Sequence, residues 1–440
     1  MVAQKMSRRQ ALKLLGGAAA GASVASAFPA FASNRSSVLM RLQSYEGRVV
    51  IFSTFDPMRY APVVEAVEAA FPGVTVDWRF LPSERFVELF SAAEIAGDQI
   101  DIMDLNGQDL RRYALAGKML DLSDTPYLDR FRPVGLQTYT IADKLWALPR
   151  GGISGFTFLS NMKLLNDIGA PEPETYDDLL ALKPELEAVG ASVFTHSGQN
   201  IYLWPVWQFW AFAQTSGNQP VEKTIATLQG DMKFTDPEHV AALDILRRFT
   251  EDGLFVNDVL SLDTDGAQVQ FHQGSAAFWY HHTSAMVNYR AAEAELTNME
   301  MSLQPPVQIV EGAVRQMPGG TGNATGIFAN IAPERLETAQ AILDLMTSDE
   351  WVAFANTDNG DPVSCNVNVQ ASDDPIAIKY AETCADNQFV YLDWMWPPEI
   401  TRSFQEEQQA IVAGTQTPEG AATNIQSVMD QLYMDGYTFE

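Results

Sequence analysis

From Gly47 onward, short β-branched runs alternate with stretches of helical spacing, and this alternation narrows the possible folds more than any other feature. Residues 49–53 form an apolar, β-branched run, and Val63, Val64, Val67 and Ala70 then recur at helical spacing. Residues 74–78 read as a second strand, 84–95 as a second helix and 100–103 as a third strand, which runs out at polar Asp104, Asn106 and Gln108. A β-α-β-α-β order predicts an α/β fold, a parallel sheet covered by helices on both faces. Ligands of such sheets sit at the carboxyl ends of the strands. That rule places Thr54, Phe55, Asp56, Asn106, Gln108 and Asp109 at a candidate cleft.

A second block follows Trp146-Ala147-Leu148-Pro149-Arg150-Gly151-Gly152, with a strand over 156–160 and a short helix over 161–168. Thr175 reads as an N-cap with Asp178 at the third helical position, opening a helix that runs to about Val189. Most of 200–290 is expected to be helical, 237–251 most clearly. Gln304-Pro305-Pro306 is extended, because a residue before proline avoids the α region. Gly319-Gly320-Thr321-Gly322 is expected to be a flexible turn, followed by a strand over 324–330. The remainder is expected to be mainly helical, ending in a helix over 418–433, and there is no internal repeat.

The chain has 440 residues, 46% of them hydrophobic and 19% charged, which marks a folded protein with ample core rather than a disordered one. Its formal charge of −28 repels phosphate backbones and anionic lipid, and so argues against a general nucleic-acid or membrane-surface role. The N-terminus departs from this balance. Residues 1–32 carry Lys5, Arg8, Arg9 and Lys13 without an acid, then a Gly/Ala-rich apolar run that closes on Ala30-Phe31-Ala32. That pattern predicts an export signal peptide cleaved after Ala32, since the run is too short and too poor in large apolar residues to span a bilayer. Ser7-Arg8-Arg9-Gln10-Ala11-Leu12-Lys13 resembles the twin-arginine motif, departing from it at Ala11, where Phe is usual. The expected location is the periplasm, without a lipid anchor, since no Cys lies near the cleavage site. In an oxidising compartment Cys365 and Cys384 are expected to pair as a disulfide contributing roughly 3 kcal/mol. Two free buried thiols are the alternative.

A series of phrases carries a family resemblance: Leu145-Trp146-Ala147-Leu148-Pro149 leading to Asn161-Met162-Lys163-Leu164-Leu165; Ile168-Gly169-Ala170-Pro171-Glu172-Pro173 with Thr175-Tyr176-Asp177-Asp178-Leu179-Leu180; and Phe271-His272-Gln273-Gly274-Ser275-Ala276-Ala277-Phe278. Gly319-Gly320, Thr347-Ser348-Asp349-Glu350 and Thr417-Pro418-Glu419-Gly420-Ala421 follow in order. In order and spacing, over nearly the whole chain after the signal, the sequence resembles the extracellular solute-binding proteins of family 1. These are periplasmic sugar-binding proteins of ABC importers, akin to the maltose-binding protein. Tyr176 stands where that family usually has Trp.

The resemblance implies a two-lobed periplasmic-binding-protein fold of type II-like form, each lobe a mostly parallel sheet flanked by helices, with several crossovers at the hinge. Crossings would fall near Gly155, Pro305 and Ser348, giving lobe I as 46–155 and 302–347 and lobe II as 156–301 and 348–440. Ligand in the cleft would close the lobes by hinge motion. The implied partners are a small carbohydrate and the membrane permease subunits, the protein acting as a monomer without a cofactor.

Sugar rings pack their C–H faces on aromatic faces while their hydroxyls need polar partners. Trp279, Trp394 and Trp396 are expected at the cleft, with Trp146 and His281; Trp204 and Trp207 are open between cleft and core, and Trp210, Trp78 and Trp351 are assigned to structure. Thr54, Asp56, Asn106, Gln108, Asp109, Arg150 and Gly320 complete the expected ligand-binding set. The sequence has no Gly-x-Ser-x-Gly elbow, His-Glu-x-x-His, P-loop or dinucleotide fingerprint, and Asp263-Thr264-Asp265-Gly266 lacks the Glu that a calcium loop needs at its twelfth position, occupied by Gly274. His281-His282 is the one metal-like pair, but adjacent side chains diverge. The expectation is a non-catalytic binding protein without metal. A polyol or cationic solute, or an exported glycoside-processing enzyme, are the alternatives.

Overall fold

The computed structural model of the protein describes residues 47–53, 57–81, 85–150, 152–353, 363–369, 373–385 and 387–439. The export signal and its cleavage site lie outside the described residues, as do Thr54, Phe55 and Asp56. No helix among the described residues is long and apolar enough to cross a membrane.

The expected alternation is present. β1 (Gly47–Ser53), α1 (Pro57–Ala70), β2 (Val74–Phe80), α2 (Phe86–Ala96), β3 (Ile102–Asn106) and α3 (Gly107–Leu115) follow in order. Val49, Val50, Ile51 and Phe52 are all buried without alternation, as a strand covered on both faces requires. The chain continues through α4 (Pro133–Tyr139), a hairpin of β4 (Thr140–Ile141) and β5 (Lys144–Leu145), and β6 (Leu148–Pro149). It then enters the long β7 (Gly152–Asn161), followed by α5 (Tyr176–Ala188), β8 (Ser192–Thr195), α6 (Pro205–Thr215), α7 (Pro220–Gln229), α8 (Pro237–Glu251) and β9 (Ala276–His282). β10 (Met301–Gln304), β11 (Met317–Thr321), β12 (Asn323–Ile327), α9 (Pro333–Met346), β13 (Val363–Ser364), β14 (Gln388–Phe389), α10 (Pro398–Val412) and α11 (Pro418–Met434) complete the elements that matter here.

These strands build two sheets. One runs β2-β1-β3-β12-β6, parallel across β1, β2 and β3 and antiparallel where β12 joins β3 and β6. The other runs β14-β11-β7-β9-β8, with β10 and β13 also paired to β7. Contrary to expectation it is not mostly parallel. β9, β10, β11 and β13 all lie antiparallel to β7, and only β8 with β9 and β11 with β14 run parallel. The cause is the long β7, which arrives from the first sheet and is met by segments that return beside it.

Residues 319–322 also differ from the expected turn. Gly319, Gly320 and Thr321 belong to buried strand β11, paired with Gly155, Ser154 and Ile153. A Cβ on Gly319 would lie 2.7 Å from the Ser154 carbonyl oxygen, so glycine here permits close strand approach rather than a turn. β11 pairs with β7 while β12 pairs with β3, so this passage between the sheets falls at Gly322 rather than near Pro305.

The α5 boundary follows the sequence. Thr175 Oγ1 accepts from the Asp178 amide at 3.2 Å, and Asp178 Oδ2 accepts from the Thr175 amide at 2.9 Å, a complete capping box. Cys365 and Cys384 do not form the expected disulfide. Both side chains are buried as thiols. Cys365 Sγ faces the Pro149 carbonyl at 3.8 Å, while Cys384 Sγ lies 3.3 Å from Thr383 Oγ1, and burial pushes its thiol up to about 11.

Candidate functional site

The strand directions locate the site. β6 ends at Pro149 and β7 begins at Gly152, so the carboxyl edge of the first sheet adjoins the amino end of β7. β9 lies antiparallel to β7, with His282 opposite Phe156 and His281 opposite Thr157, and β8 runs parallel to β9. The carboxyl ends of β1, β3, β6, β8 and β9 therefore converge on the junction between the sheets, where open α/β sheets bind ligands.

On the first sheet this rim rests on a buried polar cluster. Arg150 Nε donates to Asp104 Oδ1 at 3.0 Å and its Nη2 to Oδ2 at 2.7 Å. Ser53 Oγ donates to Asp104 Oδ2 at 2.8 Å, and Thr325 Oγ1 to Oδ1 at 3.0 Å. Arg150 was expected to meet a ligand hydroxyl; its guanidinium is instead engaged by Asp104. Asn106 ends β3 opposite Asn323, and Gln108 and Asp109 lie in the first turn of α3 at the rim. The side chains of these three predicted residues lie outside the description.

The second sheet offers aromatic and imidazole groups. Tyr202, in the short turn Ile201–Leu203 beyond β8, is 57% exposed. Phe156, half-buried at the fifth position of β7, lies 5.5 Å ring to ring from His282 and 6.1 Å from Tyr391. His282 Nδ1 accepts from the Ser284 amide at 3.2 Å. Burial lowers the His282 pKa to about 4 and that of His281 to about 3, so both rings are neutral at physiological pH. Tyr202, Phe156 and Tyr391 are not singled out in the sequence, and His282 stands out there only as half of a metal-like pair.

Most predicted tryptophans belong to the core. Trp204, Trp207 and Trp210 are fully buried on or beside α6. Trp204 Nε1 donates to the Gly198 carbonyl at 3.1 Å, while Trp207 is boxed in by Phe249, Phe255 and Tyr280 at 5.0–5.2 Å. Trp279 is buried and covered by the His281 ring, stacked at 4.0 Å and 5° because residues two apart share a face of a strand. Trp396 is buried against Phe404 at 4.2 Å. Trp146 closes the β4–β5 hairpin, donating from Nε1 to the Ile141 carbonyl at 2.9 Å. Gly320, at φ 133°, serves close packing, since a Cβ there would lie 2.7 Å from Thr138 Oγ1 on α4.

Trp394 lines a cavity. This cavity of about 520 Å³ lies between the two halves, walled by Arg111, Thr140 and Asp143 on one side and Gln229, Tyr391 and Trp394 on the other. The Arg111 guanidinium lies over the Phe439 ring at 4.6 Å. Neither the segment 196–200 that follows β8 nor residues 281–284 line it; Tyr391 connects it to Phe156 and thence to His282. Among the described residues no group of three or more His, Cys, Asp or Glu is placed to hold a metal ion.

Comparison with known proteins fits this architecture. The family described as "Bacterial extracellular solute-binding protein" matches residues 63–382. The chain belongs to that family. A family 1 extracellular solute-binding protein from Bifidobacterium longum subsp. infantis superposes with a TM-score of 0.74 at 16% identity, over 88% of this chain and all 100% of that one. A chitin oligosaccharide binding protein gives 0.72 at 20% identity, over 88% of this chain and 98% of the other. A probable sugar-binding periplasmic protein of Mesorhizobium japonicum is 29% identical over 109 residues, 24% of this chain and 26% of that protein. That match spans about a quarter of the curated relative's length. The solute-binding protein thus has the two-lobed α/β fold of its neighbours, and the family and neighbours are binding proteins rather than enzymes.

Proposed function

We propose that this solute-binding protein captures a small, neutral carbohydrate at the junction of its two sheets and delivers it to the permease of an ABC importer. The observation that carries the reading is the convergence of strand ends at a rim furnished with exposed Tyr202 and the neutral imidazole of His282. Aromatic faces suit sugar C–H faces, and neutral imidazoles, hydroxyls and amides exchange hydrogen bonds with sugar hydroxyls without favouring an ion. The names of the sugar-binding relatives point the same way. In this reading the protein is exported by the signal over residues 1–32 and works as a periplasmic monomer. One lobe is built on the sheet that holds β1, β2 and β3 and the other on the sheet that holds β7, with closure about the passages between them.

A thermal-shift panel of glucose, maltose, raffinose and chitobiose tests the reading, because a ligand of the native state raises its melting temperature. At least one sugar should raise it, and Tyr202→Ala should weaken that shift while leaving the unliganded melting temperature nearly unchanged. A panel in which no sugar shifts melting would contradict the reading.

A further inference from the structure

We propose that Arg150 is a positioning residue, whose bidentate bond to Asp104 locks the passage between the two sheets to the carboxyl end of β3 and so holds the binding rim in register. The inference deepens the carbohydrate-binding reading, and its consequence for affinity rests on that reading.

Arg150 follows the last residue of β6 and stands just before β7 begins at Gly152. Its guanidinium and the Asp104 carboxylate are almost sealed from water, at 4% and 0% exposure. The same carboxylate accepts from Ser53, the last residue of β1, and from Thr325 on β12. One buried group thus ties together β1, β3, β12 and the passage into β7, each at the edge where the rim forms. Ser53 directly precedes the expected ligand residues Thr54 and Asp56, and Asp104 stands two residues before Asn106.

Energetics indicate position rather than bulk stability as the purpose. Desolvating two charges offsets most of their attraction, and a buried ion pair is often replaceable by apolar side chains without loss of stability. A planar guanidinium bonded to both carboxylate oxygens fixes distance and orientation together, which a lysine ammonium on a flexible stem does not. A pair tied to two further hydroxyl donors also has its remaining lone pairs occupied, the condition for a rigid buried network. Such a support, outside direct ligand contact, is what keeps a binding constellation within its working geometry.

The test compares the wild-type protein with Arg150→Lys and with the double variant Asp104→Asn/Arg150→Met, which removes both charges at once. Amide hydrogen exchange is measured without ligand, and affinity with whichever sugar of the four-member panel shifts wild-type melting most. In Arg150→Lys, exchange should rise in peptides covering 47–53, 102–106, 148–161 and 323–327 and stay unchanged elsewhere, with sugar bound at least about tenfold more weakly. The double variant should remain folded with a melting temperature close to wild type and show the same local rise. Wild-type affinity and exchange in either folded variant would overturn the proposal, as would a rise spread evenly over the chain. If the wild type binds none of the four sugars, the carbohydrate reading fails and the exchange pattern alone decides the positioning role.

Discussion

Asp393 should cost the protein stability at neutral pH. It sits in the short turn Leu392–Trp394, beside the tryptophan that lines the interlobe cavity, and its Oδ1 is buried without a hydrogen-bond partner among the described residues. Burial raises its pKa from 3.8 to about 7, against the opposing effect of nearby backbone amides. In the unfolded chain the carboxyl ionises near 3.8, so between pH 4 and 7 folding must retain a proton that the unfolded state releases. The sign follows: the native state is most favoured below pH 4 and loses that advantage as pH rises through 7. A difference of about three pH units corresponds to at most about 4 kcal/mol at 1.36 kcal/mol per unit. The side chain keeps some surface, so about 2 kcal/mol is the better expectation. Asp393→Asn keeps the shape and removes the titration. Thermal unfolding followed by circular dichroism at pH 4.5 and pH 8 should show the variant melting roughly 2–3 °C above wild type at pH 8 and nearly level with it at pH 4.5. An equal difference at both pH values, or a less stable variant at pH 8, would refute the reasoning.

Two further outcomes follow from the same physics. His196, His239 and His281 are each held down to about 3 by burial, against an ordinary 6.5, so the unfolded state takes up protons that the native state excludes. Each ring should remove about 2 kcal/mol of stability between pH 7 and 5, and His239→Gln should flatten the fall in melting temperature over that range. Thiol titration in denaturant without reductant should find both Cys365 and Cys384 reactive, whereas recovery of thiols only after reduction would restore the disulfide.

What could be read from the sequence was local or set by repeated pattern. The capping box at Thr175 and Asp178 is decided within four residues, and α8 and α9 begin at the prolines that mark them, Pro237 and Pro333. The strand-end rule needs only strand order and direction, and the carboxyl ends of β1 and β3 do lie at the edge beside β7. The tryptophans were harder. Helical spacing shows that Trp204, Trp207 and Trp210 share a neighbourhood, but only packing shows that it lies beneath α6, inside the core. Trp279 and His281 share a face of β9, and which of them covers the other depends on how that face is overlaid. The Gly319-Gly320 pair read as a turn because glycine permits one; its partner Ser154 is too distant in sequence to be visible. Arg150 reads from the sequence as a partner for ligand hydroxyls, because the Asp104 that claims its guanidinium is visible there only as the end of a strand.

The central claim is capture without chemistry, and a calorimetric titration tests it most directly. The purified protein is titrated with glucose, maltose, raffinose and chitobiose, and each sugar is recovered afterwards and analysed. At least one sugar should bind saturably at one site per chain, be recovered intact, and bind more weakly to Tyr202→Ala. Absence of binding by all four, or recovery of cleaved sugar, would contradict the account.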